Sequence, residues 1–211
     1  WKGAPEIKKG EDRIITEDSA AVISYEKGEL DYFTGIPLSD WTNVEKAADG
    51  NCDLAKGNNI RFLAINWQSP TNNNILGNQK VREAIFYAIN KDDIVAASTG
   101  GYGQPAYEYM PADYVATSPN VKDGKFKTYD LDLDKAHQCL LDAGFTEEEI
   151  AAGIDVGTIL TYGAPTAEKG KAAVVIQGNL AAAGMKAEVE VNEAANVTPR
   201  MYAQDYDIAI F

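Results

Sequence analysis

The stretch VREAIFYAINKDDIV, residues 81–95, decides the fold of this 211-residue chain. Its apolar residues recur at i, i+3, i+4, i+7 and i+8, which is the spacing that lines one face of an α-helix. The residues on that face are Val81, Ala84, Ile85, Ala88 and Ile89. Asn90 then interrupts the pattern with a side chain that suits an N-cap, and Asp93 favours the first turn of a second, short helix. The stretch therefore predicts a core helix followed by a capped break.

Strands and helices alternate on both sides of this stretch. The predicted strands are residues 13–16, 30–33, 60–67, 156–162, 186–192 and 206–211. The other predicted helices are residues 17–27, 37–48, 130–143, 166–183 and 198–203. Such alternation indicates an α/β fold, in which helices flank a mainly parallel or mixed sheet. Two polar loops, residues 68–80 and 98–121, interrupt the alternation, and the sequence assigns neither of them a role.

Length, composition and charge limit the possible partners. At 211 residues and 45% hydrophobic composition, the chain can bury one substantial core as a single domain. Its 32 acidic and 19 basic residues give a net charge of -13, which repels phosphate backbones and anionic membrane surfaces. Nucleic acid is therefore excluded as a partner. No apolar run approaches the roughly twenty residues of a membrane span, so we expect membrane attachment only through an anchor outside this segment.

The sequence offers no catalytic or metal-binding constellation. The single histidine, His137, lies two positions from Cys139 on a predicted helix, and side chains at that spacing point in different directions. Cys52 lies in a polar loop whereas Cys139 faces the core, which disfavours a disulfide between them. Serine-hydrolase, Walker and paired Cys/His motifs are missing from the sequence. We therefore expect no catalytic residue, no metal and no cofactor. A binding function is favoured over catalysis.

Several segments resemble, in order and spacing, motifs of the extracytoplasmic solute-binding proteins of ABC importers. The similarity is to the peptide-binding class, which includes the dipeptide and oligopeptide receptors. The segments are WKGAP at 1–5, YEKGELD at 25–31, VREAIFYAINKDDIV at 81–95, GQPA at 103–106, AHQCLLDAGF at 136–145, residues 176–184 and Tyr206–Asp207. Two residues depart from the family pattern: Asn90 replaces an aspartate, and Cys139 replaces a core leucine.

The resemblance implies a two-lobed, periplasmic-binding-protein-like fold, of which residues 1–211 form the second ligand-binding lobe and residues 1–12 a connector between lobes. It also implies that both ends are cut from a longer chain, which would leave much of the pocket outside this segment. On this interpretation the protein is not an enzyme. It captures a small solute, with a peptide as the leading case, and delivers it to ABC transporter permease subunits. Its location would be extracytoplasmic, either periplasmic or lipid-anchored on the outer face of the cell membrane.

Five residues are candidates for ligand binding. In open α/β sheets, ligand sites form at loops beyond the carboxyl ends of strands. This rule selects Asn66 and Trp67 after one strand and Tyr162 and Gly163 after another, and Glu168 in the following helical turn could meet a cation. Two alternatives remain open. The segment could belong to a hydrolase whose catalytic residues lie outside it, or to a protein-interaction module that uses the Tyr-rich loop 102–114.

Overall fold

The computed structural model describes residues 3–38, 40–47, 52–55, 57, 59–109, 123, 125 and 127–211. The backbone divides into two compact units, an amino-terminal unit of residues 1–55 and a carboxyl-terminal unit of residues 56–211. The assignment of the whole chain to one lobe, with residues 1–12 as a connector, stays a prediction.

The amino-terminal unit contains two short helices, α1 at Asp18–Glu26 and α2 at Trp41–Ala47. Both helices were predicted from apolar spacing, and their buried side chains are Ala21, Val22, Trp41 and Val44. The strands predicted at 13–16 and 30–33 are wrong, because the described residues of this unit form no ladder. Ile14 and Tyr32 are 87% and 81% exposed, so their apolar alternation has no sheet to cover it. Ala48, which was expected to extend α2, lies outside the described residues.

A mixed sheet forms the centre of the carboxyl-terminal unit. Its described strands are β1 at Leu63–Ile65, β2 at Ile154–Tyr162, β3 at Met185–Asn192 and β4 at Ile208–Ile210. Their order across the sheet is β1-β4-β2-β3. Strand β2 runs parallel to β3 and β4, whereas β1 runs antiparallel to β4. The predicted mixed α/β sheet is confirmed, although the strand expected over 60–67 is regular only over three residues.

A bulge interrupts β2 near its start. The register with β3 shifts between Asp155 and Thr158, and Gly157 in between has a φ angle of +89°. Two residues of β2 therefore stand opposite one residue of β3, which is the pattern of a β-bulge built on a left-handed glycine. After the bulge, Ile159 faces the main core and Leu160 the opposite side of the sheet.

Helices cover the main core. They are α3 at Gln79–Ala88, α4 at Lys91–Thr99, α5 at Leu133–Asp142, α6 at Glu147–Ala152 and α7 at Glu168–Ala182. One further helix, α8 at Ala194–Tyr202, packs on the opposite face of the sheet. A turn with helical hydrogen bonding, Thr71–Asn74, and a 3₁₀ turn, Ile75–Gly77, precede α3. Asn72, Asn73 and Asn74 adopt left-handed backbone angles, with φ of 49°, 58° and 60°.

The stretch 81–95 behaves as its spacing predicts. All five apolar residues of its inner face are buried in the main core, together with residues of α5, α7, β2 and β4. The Asn90 side chain accepts hydrogen bonds from the backbone N–H groups of Asp92 at 3.1 Å and Asp93 at 3.3 Å, so it caps α4 as expected. Cys139 is buried in the same core, and both it and Cys52 are free thiols.

A smaller apolar cluster lies on the opposite face of the sheet. Leu160 of β2 and Ala209 of β4 are fully buried there against Val197 of α8. Four partly buried side chains extend this cluster: Tyr162, Met201, Tyr206 and Phe211. The cluster thus continues along the sheet to the residues at which β2 and β4 end.

Candidate functional site

The two ends of the sheet differ in chemistry. The parallel strands β2, β3 and β4 finish at one end, the carboxyl edge, and antiparallel β1 begins there. The backbone N–H of Phe211, just after β4, donates to the carbonyl of Phe62, just before β1, at 3.1 Å. At the other end, the amino edge, β2 and β4 begin and β1 finishes. Ligand sites in α/β sheets form at the carboxyl edge.

Three of the five predicted site residues lie together at this carboxyl edge. Tyr162 is the last residue of β2, and Gly163 follows it with a φ of +112°. The Gly163 N–H donates to the carbonyl of Asn192, the last residue of β3, at 3.0 Å. Glu168 is the first residue of α7. The structure therefore places Tyr162, Gly163 and Glu168 at the end of the sheet where the carboxyl-end rule expects a ligand.

Asn66 and Trp67 lie at the amino edge instead. Because β1 is antiparallel, Ile65 at its end is level with Ile208 at the start of β4. The loop after β1 is thus separated from Tyr162 by the length of the sheet. The carboxyl-end rule holds for parallel strands. Strand β1 is antiparallel, so the loop after it lies at the amino edge and not at the carboxyl edge. The structure does not bring the two groups of candidates into one site.

The Asn66 side chain is fully occupied within the protein. It is 6% exposed, and its amide nitrogen donates to the carbonyls of Gln204 and Tyr206, both at 2.9 Å. Its amide oxygen accepts from the Gln68 N–H at 3.1 Å. These bonds hold the turn that leads into β4, which includes the left-handed residue Gln204 at φ +57°. In this structure Asn66 organises the amino edge, and its role in ligand contact stays a prediction.

We expect Asn66→Ala to lower the free energy of unfolding by about 2 kcal/mol, because two carbonyls in a part-buried turn would lose their donor. Urea denaturation at pH 7 measures this change. Gln68→Ala is the matched control, because Gln68 is an exposed polar residue two positions after Asn66. Unchanged stability together with lost ligand binding would contradict the structural role and favour direct contact.

Trp67 is the exposed member of the pair. Its side chain is 62% exposed, and the Arg82 guanidinium lies 5.7 Å from the ring centroid. Arg82 also donates to the carbonyls of Leu76 at 2.7 Å and Gly77 at 2.9 Å. A cation over an aromatic face at this distance is attractive. Trp67 thus packs against the base of α3, and its contact with ligand stays a prediction.

Asp207 lies just before β4 and accepts hydrogen bonds from two other segments of the amino edge. It is 8% exposed, and its carboxylate accepts from the Ser69 hydroxyl and from the Thr158 N–H and hydroxyl at 2.8 and 3.0 Å. Burial raises the pKa of Asp207, but hydrogen bonds from Ser69, Thr71 and Thr158 outweigh burial, and the pKa lies below its ordinary value. Asp207 is therefore a buried carboxylate held in its charged form.

Opposite charges meet at the carboxyl edge. The Lys169 ammonium lies 3.2 Å from the centroid of the Tyr162 ring. The adjacent Lys169 ammonium lowers the pKa of that phenol, although burial acts in the opposite direction. Arg61, just before β1, pairs with Glu168 at 3.8 Å, and both side chains are about half exposed. This edge therefore presents two cations and a carboxylate that solvent can reach.

Four further residues lie at this edge that no sequence pattern indicated. Arg61 and Phe62 precede β1, Phe211 follows β4, and Lys169 follows Glu168 in α7. For Arg61 and Phe62, the missing information was the direction of β1. Once β1 is antiparallel, its first residues, and not its last, lie beside Tyr162.

No group of three or more His, Cys, Asp or Glu side chains among the described residues is arranged to hold a metal ion. His137 is partly exposed and pairs with Glu147 at 3.0 Å. Among the described helices, none is both long enough and apolar enough to cross a membrane. Exposed opposite charges and aromatic rings suit recognition of a ligand that carries both charged and apolar groups.

Of the Tyr-rich loop 102–114, residues 110–114 lie outside the described residues. In the described part, the Lys91 ammonium lies 4.5 Å from the Tyr107 ring centroid and also donates to the Tyr129 carbonyl. Tyr107 is thereby tied to the start of α4. None of the contacts made by residues 102–109, the described part of this loop, favours the interaction-module alternative.

Comparison with known proteins gives a family match over the whole chain. The sequence profile of the family described as "Bacterial extracellular solute-binding proteins, family 5 Middle" matches residues 1–211. The oligopeptide-binding protein AppA of Bacillus subtilis is 23% identical over 212 residues, which cover 98% of this chain and 38% of AppA.

Two solved structures are similar in fold. The periplasmic binding protein DppA of Helicobacter pylori, in complex with the peptide STSA, has a TM-score of 0.69 and 27% identity over 94% of this chain and 35% of DppA. NikA of Brucella suis, in complex with Fe(III)-EDTA, has a TM-score of 0.75 and 22% identity over 93% of this chain and 40% of NikA. These likenesses confirm the predicted fold class. The chain spans well under half the length of the relatives it matches.

Proposed function

The chain belongs to the family 5 bacterial extracellular solute-binding proteins, and from this membership we propose that it forms part of a receptor that captures a peptide. AppA is named as an oligopeptide-binding protein, and DppA holds a peptide in its solved structure. We further propose that the peptide binds at the carboxyl edge of the sheet. The family and the relatives named above are binding proteins, and no feature of the described residues favours the hydrolase alternative.

The pairing of opposite charges at the carboxyl edge carries this proposal. A free peptide has an ammonium group at one end and a carboxylate at the other. We propose that Glu168 meets the ammonium group and that Arg61 and Lys169 meet the carboxylate, because these exposed charges lie together at the edge. In this structure Arg61 pairs with Glu168 at 3.8 Å, and the Lys169 ammonium lies against the Tyr162 ring. A peptide would exchange these weak, exposed contacts for charge-assisted hydrogen bonds in a drier site.

We propose that capture works by closure of two lobes around the peptide, and that the closed form is recognised by ABC transporter permease subunits. Closure of this kind stabilises the state that makes more contacts with the ligand, so ligand binding shifts the population towards it. The protein then performs no chemistry on its ligand. We also propose an extracytoplasmic location, periplasmic or lipid-anchored, in keeping with the family description.

Titration calorimetry of the full-length protein with trialanine tests the peptide proposal. We expect trialanine with both ends free to bind, and its N-acetylated and C-amidated forms to bind about tenfold or more weakly, because each has lost one charged partner. Glu168→Gln should remove the penalty of N-acetylation. The matched control is Glu188→Gln, an exposed glutamate on β3, which should preserve that penalty. If none of the three peptides binds at millimolar concentration, the proposal of a peptide receptor is contradicted.

A further inference from the structure

Four aromatic rings form a continuous shelf along one face of the sheet that ends at the carboxyl edge. Phe62 stacks on Phe211 with ring centroids 5.0 Å apart and planes inclined by 4°. Tyr109 tilts against Phe62 at 5.4 Å, and Tyr206 meets Phe211 edge-on at 6.4 Å. These separations are those of favourable aromatic pairs. We call Phe62, Tyr109, Tyr206 and Phe211 the aromatic shelf.

The shelf reaches from the interior to solvent. Tyr206 and Phe211 pack against the smaller apolar cluster around Leu160, whereas Tyr109 is 73% exposed. Phe62 touches both Phe211 and Tyr109 and so connects the buried end with the exposed end. Apolar rings that continue from a core to an exposed edge provide a surface on which another apolar group can be buried.

Charged groups border this shelf directly. Arg61 adjoins Phe62 in the chain and pairs with Glu168, and its charge also acts on Tyr162, the partner of Lys169. An occupant of the shelf would therefore carry an apolar side chain close to an ionised group. A peptide with an aromatic or large aliphatic residue near a charged end has this combination. A purely polar solute would leave the rings exposed to water.

We propose that the aromatic shelf makes the receptor selective for peptides that contain an aromatic or large aliphatic side chain. This inference rests on the proposed peptide-binding function and adds the substrate class. Its physical basis is burial of the ligand side chain on Phe62 and Tyr109, with ring contacts that a methyl group cannot make. Phe62 and Tyr109 act as specificity-determining residues, because the charged groups that hold the peptide ends lie beside the rings and not among them.

The test compares Ala-Phe-Ala with Ala-Ala-Ala by titration calorimetry on the whole protein. We expect the wild-type protein to bind Ala-Phe-Ala about tenfold or more tightly. Phe62→Leu keeps apolar bulk against Phe211, and Tyr109→Ala changes a side chain that is 73% exposed, so both variants should fold. Each should reduce the preference, taken as the ratio of the two Kd values, by about threefold or more. Thermal unfolding of each variant verifies that it is folded.

Tyr202→Ala is the matched control, because Tyr202 is a tyrosine on α8 that is 87% exposed, and it should leave the preference unchanged. Equal wild-type affinity for the two peptides would overturn the selectivity and leave the proposed peptide receptor intact. An undiminished preference in both Phe62→Leu and Tyr109→Ala would overturn the assignment to the shelf. Failure of both peptides to bind would overturn the receptor proposal together with this inference.

Discussion

Asp207→Ala is expected to lower the free energy of unfolding by about 3–4 kcal/mol, the largest effect of a single side-chain truncation that we predict for this chain. The truncation removes the acceptor shared by Ser69, Thr71 and Thr158, and these groups lie in part-buried surroundings where water cannot fully replace a carboxylate. Hydrogen bonds to a charged acceptor are stronger than neutral ones, so the loss exceeds that of an ordinary hydrogen bond. Urea denaturation at pH 7, followed by tryptophan fluorescence, measures the change.

Asp205→Ala is the matched control for this experiment. Asp205 lies two residues away and pairs with Arg200 at 3.1 Å, but its side chain is 71% exposed. An exposed ion pair contributes about 1 kcal/mol or less. Equal destabilisation by Asp205→Ala and Asp207→Ala would contradict the view that Asp207 organises the amino edge.

The stability of the wild-type protein and that of the Asp207→Ala variant should depend differently on pH. The pKa of Asp207 is lower in the folded protein than its ordinary value, which is about 4 in an unfolded chain. Its contribution to stability is therefore complete above that value and is lost as the pH falls through the folded pKa. The stability gap between wild type and Asp207→Ala should remain constant from pH 7 to 5 and narrow below about pH 4. A gap that stays constant down to pH 2 would contradict a lowered pKa.

Local patterns were enough to predict the helical part of the fold. The inner face of α3 could be predicted because its five apolar residues recur with helical spacing, and burial of that face follows from its composition. The cap of α4 could be predicted because Asn90 carries a short acceptor side chain at the position where the periodicity breaks. Both signals lie within a few residues of the feature that they predict.

Strand direction is not encoded in this way. Strand β1 has three residues, and nothing in Leu63–Ile65 indicates whether it runs with or against β4. That direction decides whether Arg61 and Phe62, or instead Asn66 and Trp67, lie beside Tyr162. The candidate site could therefore be predicted only at strand β2. Helix α7 is the next element after β2, so the loop between them must lie at the carboxyl edge of the sheet. The shelf combines rings from three distant parts of the chain, and no local pattern links them.

The β2 bulge lies between these two cases. A glycine inside a strand pattern indicates a bulge or a close backbone approach, so Gly157 carried a usable signal. The group that approaches it is the carboxylate of Asp207, fifty positions further on. The sequence can indicate that space is needed at Gly157, but only the folded sheet identifies Asp207 as the side chain that occupies it.

Gly157→Ala is accordingly expected to lower the free energy of unfolding by about 3 kcal/mol or more. An added Cβ would lie 2.3 Å from Oδ2 of Asp207, and the φ of +89° is one that side chains rarely adopt. The matched control is Gly178→Ala on α7, where no atom lies within 4 Å of an added Cβ. That replacement in a helix should leave stability unchanged or raise it by up to about 1 kcal/mol.

The effects of Gly157→Ala and Asp207→Ala should also be coupled. The methyl group that Gly157→Ala adds would compete with the Asp207 carboxylate for the same space. In an Asp207→Ala background the carboxylate is gone, and only the backbone strain and the contact with the remaining Cβ oppose the added methyl group. Gly157→Ala should then cost at least about 1 kcal/mol less than in the wild-type protein, and a double-mutant cycle in urea measures the difference. Strictly additive effects would mean that strain at φ +89° alone accounts for Gly157, and that the bulge and the buried carboxylate stabilise the sheet independently.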